Sequence, residues 1–133
     1  MPALLIAHMG EKIIPEAFQS LQSAAQHAVR TFQDTDTPLT ATVAMIPDVC
    51  VLPYMGLSVM RNMAVLAALE QKSDHLLVVD NDCKLPEDAL ARWVTLAQER
   101  PGVDVILPFL TSPATGSMGE FGFPKGSGVH EFD

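Results

Sequence analysis

The sequence is poor in cysteine and in basic side chains, and it has no long apolar run. Its two cysteines, Cys50 and Cys83, form no CxxC pair and have no histidine at ligand spacing, which argues against a disulfide framework and a zinc site. With 8 basic against 16 acidic side chains, the formal net charge of -8 disfavours nucleic acid and anionic membranes as partners. A membrane span of roughly 18–20 apolar residues and a signal peptide are also missing. We therefore predict a cytoplasmic protein.

The 133 residues are 48% hydrophobic, which suffices for the core of about one domain. Apolar β-branched runs predict strands and helical repeats predict helices, and the two alternate along the chain. The predicted strands cover residues 3–7, 40–46, 76–79 and 103–110, and helices begin near Pro15, Leu57 and Pro86. The helix over residues 57–71 is apolar almost all round, which predicts burial between the sheet and another layer. The order predicts a three-layer α/β fold, a Rossmann-like half with a mostly parallel sheet flanked by helices.

The last segment has a different composition. Residues 111–133 contain five glycines and no extended periodic pattern. They predict a Gly/Pro-rich flexible tail or lid that follows an α/β domain over residues 1–110. An unpaired sheet edge and this tail together favour a homo-oligomer.

The most informative segment is residues 76–82, which read LLVVDND. Side chains at positions i and i+2 of a strand point the same way, so Asp80 and Asp82 are expected to converge at the carboxyl end of a buried strand. Ligands of open α/β sheets bind at that end, and paired carboxylates suit Mg²⁺ or Mn²⁺. The pair predicts metal-assisted binding of a phosphorylated ligand. The alternative is a solvated turn, since Asp and Asn both favour turns.

The segment from Gly56 to Asn62 reads GLSVMRN and precedes Asp80 by about 18 residues. With the Asp-x-Asp sequence and the following KLPEDAL, it resembles the donor-binding half of family-2 glycosyltransferases with the GT-A fold. In that family a glycine, a helix with an Arg-Asn pair and a strand ending in Asp-x-Asp occur in this order. The resemblance covers roughly residues 3–110 and implies a nucleotide-diphospho-sugar transferase-like domain.

The resemblance implies a nucleotide-sugar donor whose two phosphates are bridged by Mn²⁺ or Mg²⁺. Asp82 would be the chief metal ligand, and Asp80 would be its partner or a ribose contact. His130 would complete the metal shell from the tail. The substrate-binding residues implied are Asp80 together with His8, Asp48, Arg61 and Asn62.

Each of these further residues also has a structural interpretation. Arg61 can form an ion pair with Asp80 that fixes the strand end, and Asn62 can cap a local turn. His8 and Asp48 follow strands, where structural or simply exposed polar side chains are common. His130 lies near the end of the sequence.

The acceptor and the catalytic base stay unassigned, because the second half of the family's enzymes, which supplies both, has no counterpart in this sequence. An inverting transferase needs a base opposite the leaving group. Two functions therefore remain: a glycosyltransferase or its donor-binding half, and a non-catalytic nucleotide-, metal- or partner-binding module that keeps the GT-A core. A phospho-receiver domain is a weaker third hypothesis, since its acidic pair follows the first strand.

Overall fold

The computed structural model describes residues 2–48, 56–106, 110–112 and 116–118. The chain divides into two compact units, Met1–Arg92 and Trp93–Asp133, and the third helix begins in the first unit and continues into the second. The elements, in chain order, are β1 Ala3–Met9, α1 Pro15–Phe32, β2 Thr40–Ile46, α2 Gly56–Glu70, β3 His75–Asp80, α3 Ala89–Glu99, β4 Leu110–Ser112 and β5 Gly116–Met118. The fold is α/β, as the sequence predicts.

The first unit contains a three-stranded parallel sheet in the order β2-β1-β3. β1 lies in the middle and pairs along its whole length, with Leu5 opposite Thr42 on one side and Leu76 on the other. Leu5, Ile6 and Ala7 have no accessible surface. A strand covered on both faces needs continuous apolar side chains, which is what this segment supplies. The arrangement is consistent with a Rossmann-like core.

Helices contact successive side chains of β1. Ala7 and Met9 pack in one cluster with Met60 and Ala64 of α2. His8, which points to the opposite face of the strand, meets Phe18 of α1 edge to face. α1 and α2 therefore contact β1 from opposite faces.

The predicted first helix is confirmed as α1. It begins with Pro15 in the first turn, has Glu16 near its positive end and Arg30 near its negative end. Its buried residues repeat every three or four positions, as an amphipathic helix requires. They are Ala17, Leu21, Ala24, Ala28 and Phe32.

The predicted burial of the second helix on all sides is wrong. In α2 the buried positions Met60, Ala64 and Ala68 form a single stripe four residues apart. The other positions of the helix include apolar side chains that are exposed and that no described residue covers. The exposed apolar residues of α2 are Leu57, Val59, Val65, Leu66 and Leu69. Apolar composition alone does not show how many neighbours a helix has.

The third helix begins later than predicted. Pro86 lies in a turn whose carbonyl accepts a hydrogen bond from the Ala89 N–H at 3.1 Å, and α3 runs from Ala89 to Glu99. Proline cannot donate to a helix but its carbonyl can close the preceding turn.

The predicted strand over residues 103–110 is wrong for residues 103–106, which form no strand. Val103 instead donates its N–H to the Arg100 carbonyl in a turn, and Val103 and Val105 are exposed. β-branched residues favour strands, but a strand also needs a hydrogen-bonded neighbour. Residues 107–109 lie outside the described residues. β4 and β5 pair antiparallel, with Leu110 opposite Met118.

None of the helices in the described part of the chain is both long and apolar enough to cross a bilayer.

The two sides of α2 predict opposite responses to substitution. Leu66→Gln replaces a side chain that is 64% exposed and should change the free energy of unfolding by less than about 0.5 kcal/mol. Met60→Ala removes a buried side chain and should cost about 2–5 kcal/mol. Urea unfolding followed by far-UV circular dichroism measures both. A loss above about 1 kcal/mol for Leu66→Gln would mean that another layer covers this side.

Candidate functional site

The carboxyl ends of the three parallel strands meet at one edge of the sheet. The pairing places Met9 of β1 between Ile46 of β2 and Asp80 of β3. The loops that leave these strands therefore start side by side, and we call this region the carboxyl edge. It is the part of an open parallel sheet where ligands bind.

Asp80 and Asp82 lie close together at the carboxyl edge, as the sequence predicts. A carboxylate oxygen of each and the Sγ atom of Cys83 all lie within 4.8 Å of one another. The predicted reason was only partly right, because Asp80 is the last residue of β3 and Asp82 is already in a turn. That turn is closed by the Cys83 N–H, which donates to the Asp80 carbonyl at 3.1 Å. The turn, rather than strand alternation, brings the side chains together.

Neither carboxylate of the acidic pair is neutralised by a described basic side chain. The ion pairs among the described residues join Lys84 to Glu16 at 2.6 Å and Arg92 to Asp88 at 3.4 Å. Arg61 is exposed on α2 and forms no ion pair with Asp80. Asp80 and Asp82 are both exposed, so their negative charge is available to a cation from solution.

The donor set fits a divalent cation. Two carboxylates that reach one point are ligands that Mg²⁺ and Mn²⁺ accept. Cys83 adds a sulfur at the same point, a ligand that softer ions prefer. Sequence analysis did not predict Cys83 as a ligand, although its position next to Asp82 was the available signal.

The Cys83 thiol is held in its protonated form. Burial is the largest cause that raises its pKa, and the negative charges of Asp80 and Asp82 raise the pKa further. Its hydrogen bond with the Asp80 backbone acts in the opposite direction but is outweighed. The thiolate is the form of cysteine that binds metals. Because Cys83 is protonated, the two carboxylates are the better ligands of this set for an arriving cation.

His8 is 1% exposed and lies inside the fold. Its Nδ1–H donates to the Gly10 carbonyl at 3.0 Å, and its ring meets Phe18 with centroids 5.3 Å apart. Its Nε2 atom is buried without a hydrogen-bond partner among the described residues. The ring presents too little surface for an extensive ligand contact in this arrangement. Its role here is to join the end of β1 to α1.

Asp48 is exposed but already engaged. Its Oδ2 atom accepts the Glu11 N–H at 3.1 Å, which ties the loop after β2 to the loop after β1. Asn81, between the two aspartates, acts from the other side: its Nδ2 donates to the Lys12 carbonyl at 3.0 Å. Nothing in the sequence indicates this bond, because Asn81 occupies the variable position of the Asp-x-Asp motif.

Gly10 makes these side-chain contacts possible. Its φ is 105°, a conformation that favours glycine, and its N–H donates to the Ile46 carbonyl at 2.9 Å. A Cβ here would lie 3.0 Å from Asn81 Nδ2 and 3.1 Å from Asp48 Oδ1. The side chains of Asp48 and Asn81 therefore approach the loop at a point where only glycine leaves room.

The loop after β3 is also attached to α1. Ser20 Oγ accepts the Leu85 N–H at 3.0 Å, and Lys84 donates to Glu16. The pKa of Glu16 is lowered by this hydrogen bond from Lys84 and by the positive charge of Lys84. Both groups are exposed, so the contact orients the loop more than it stabilises the fold.

Three other predicted residues occupy different places. Arg61 and Asn62 are exposed on the second turn of α2. His130 lies outside the described residues, as do Cys50 and most of the loop between Asp48 and Gly56.

Gly10→Ala should destabilise the fold. A side chain at positive φ that also crowds Asn81 and Asp48 should lower the free energy of unfolding by about 1–3 kcal/mol. Gly102→Ala is the matched control, because nothing lies within 4 Å of its added Cβ. Thermal unfolding of both variants tests this, and equal midpoints for the two would contradict the arrangement around Gly10.

The acidic pair should slow alkylation of Cys83. In a Cys50→Ser background with EDTA present, the double change Asp80→Asn and Asp82→Asn removes two negative charges that disfavour the thiolate. The Cys83 pKa should then fall, although burial keeps it above its ordinary value. Iodoacetamide labelling rates measured against pH should show the inflection moving to lower pH.

The control for this titration is Asp36→Asn, a change of an exposed acid in the turn after α1. It should leave the inflection in place. An unchanged inflection in the double variant would contradict the electrostatic coupling of Cys83 to the acidic pair.

Comparisons with known proteins give no further assignment. No family model matches the chain, and no curated protein and no solved structure matches it either. The carboxyl edge and the motifs of the sequence are therefore the features from which a function can be inferred.

Proposed function

We propose that the chain is a glycosyltransferase, or its donor-binding half, that binds a nucleotide-sugar with a divalent cation at Asp80 and Asp82. The observation that carries the proposal is an exposed acidic pair, without a described cationic partner, at the carboxyl end of a strand next to the central strand. The spacing from the Arg61-Asn62 pair to Asp80, which resembles family-2 glycosyltransferases, supports it. The proposal includes the three-layer GT-A-like core around this sheet.

Electrostatics makes a cation necessary for this function. Like unit charges at 4 Å repel by about 1 kcal/mol in water and by about 4 kcal/mol near a protein surface. A diphosphate carries several charges and would approach two carboxylates on a chain whose net charge is -8. Asp80 and Asp82 therefore repel the donor unless a cation is bound between them.

Asp82 and Asp80 would hold the ion, Mn²⁺ or Mg²⁺, with Asp80 also placed for a ribose contact. When bound, the ion offsets the negative charge that develops on the departing nucleoside diphosphate. Arg61 is an exposed cation near the start of α2 and can add a phosphate contact. Asp48 retains one oxygen that does not accept the Glu11 N–H and can bind a ribose or base donor group.

An interaction module is the second candidate, and the exposed side of α2 favours it. Five apolar side chains of this helix are accessible. Apolar side chains exposed along a helix can mark a site of protein association. Under this hypothesis the carboxyl edge keeps its fold but binds no nucleotide-sugar.

Donor binding should depend on metal. Calorimetry with UDP- and GDP-sugars should show binding with Mn²⁺ and none with EDTA. Asp82→Asn should reduce the affinity for the donor by at least 10-fold, because one of the two negative charges is lost and an amide oxygen is a weaker cation ligand than a carboxylate oxygen. Release of free nucleoside diphosphate in the presence of an acceptor would then indicate turnover.

Asp36→Asn is the matched control, since it makes the same charge change at an exposed site away from the acidic pair. It should bind the donor like the unmodified protein. Metal-independent binding, or no binding of any nucleotide-sugar, would refute the proposal. Concentration-dependent self-association in the absence of donor binding would support the interaction module.

A further inference from the structure

The side chain between the two aspartates connects the acidic turn to a different part of the fold. Asn81 Nδ2 donates to the Lys12 carbonyl at 3.0 Å, and the two residues are 69 positions apart in the sequence. Asn81 is half-buried, whereas Asp80 and Asp82 on either side are exposed. The residue that a motif search treats as arbitrary is thus the one that is anchored.

The loop that receives this bond continues from β1 and is itself fixed to the end of β2. The Gly10 N–H donates to the Ile46 carbonyl at 2.9 Å, and the Glu11 N–H donates to Asp48 at 3.1 Å. With the bond from Asn81, residues 10–12 are attached to the ends of both β2 and β3. Asn81 is therefore hydrogen-bonded to a backbone segment, residues 10–12, whose position is fixed by its own hydrogen bonds.

The aspartates have few restraints of their own. Among the described residues, the side chain of Asp82 has one polar contact, the Cys83 Sγ atom at 4.0 Å, and that of Asp80 has none. Their positions follow from the backbone of the turn, which is held by the Cys83 N–H bond to Asp80 and by the Asn81 amide. Residues behind the ligands of a metal site commonly change its affinity by 10- to 100-fold when they are replaced.

We infer that Asn81 is a positioning residue, which sets the distance between the carboxylates of Asp80 and Asp82 by holding the intervening backbone on the Lys12 carbonyl. This rests on the proposed function, because it concerns the same cation site. The inference assigns a role to the middle residue of the Asp-x-Asp motif, which has to donate a hydrogen bond to the Lys12 carbonyl. A residue that lacks this donor leaves both carboxylates in place but no longer fixes the distance between them.

Asn81→Ala tests the inference without changing the charge of the site. Alanine meets no backbone strain at this position, because Asn81 does not have a positive φ. Among the described non-glycine residues, positive φ occurs at Lys72. Mn²⁺ alone is the probe, and its dissociation constant is measured from the free Mn²⁺ signal in electron paramagnetic resonance. We expect Kd to rise about 10-fold or more in Asn81→Ala.

Ser20→Ala is the structural control. It removes another tether of the same loop, the bond to the Leu85 N–H, but at a place away from the acidic pair. It should lower the unfolding midpoint at least as much as Asn81→Ala. It should leave the Mn²⁺ Kd within about twofold, because the bond between Ser20 and Leu85 holds neither aspartate nor the residue between them. Equal weakening of Mn²⁺ binding in the two variants would overturn the positioning role, since general loosening would then explain both.

The remaining outcomes separate this inference from the proposed function. If Asp82→Asn abolishes Mn²⁺ binding and Asn81→Ala leaves it unchanged, the cation site stands and the positioning role is wrong. If the unmodified protein binds no Mn²⁺, both fail. If Asp82→Asn weakens Mn²⁺ binding but leaves it measurable, the two changes can be combined. An effect of Asn81→Ala that is present in the unmodified background and absent beside Asp82→Asn supports the inference, and an equal effect in both backgrounds contradicts it.

Discussion

The parallel pairing of β1 with strands on both of its sides is the interaction on which the rest of the structure depends. Because β1 is central, its ends fix the positions of the β2 and β3 ends, and the three loops that follow are brought to one edge. The strand is covered by side chains of α1 and α2, so its apolar sequence is a requirement of its position. This pairing brings together Gly10, Asp48 and Asn81, which follow three different strands.

That edge combines two opposing tendencies. The hydrogen bond that Asp48 accepts, the one that Asn81 donates and the glycine conformation at Gly10 hold the backbone. The carboxylates of Asp80 and Asp82, in contrast, repel each other and have no described cation beside them. Repulsion between exposed charges is modest in water, so the fold tolerates it. The arrangement keeps negative charge available at a position that is otherwise rigid, which is the condition for selective cation binding.

The sequence predicted the helices, the parallel sheet and the proximity of Asp80 to Asp82, because these follow from local patterns of apolar residues and from one motif. It could not predict which side of α2 stays exposed, since apolar residues on a helix do not specify their neighbours. It also could not predict the Asn81 bond or the burial of His8. The Asn81 bond joins residues 69 positions apart, which only the register of the sheet brings together. The burial of His8 depends on the packing of Phe18 of α1 against the end of β1, which the residues around His8 do not specify.

The position of Cys83 limits which cation the edge can favour. Burial and the two carboxylates keep the thiol protonated, so the available ligands are oxygens, the donor type that hard ions such as Mg²⁺ and Mn²⁺ prefer. An ion that prefers sulfur would have to displace the proton of the Cys83 thiol. Its positive charge would help, because it offsets the negative charges of Asp80 and Asp82 that raise the pKa of the thiol. In the proposed cation site the acidic pair would therefore act in two ways: it would attract divalent cations in general, and it would set an energetic cost on those that recruit sulfur.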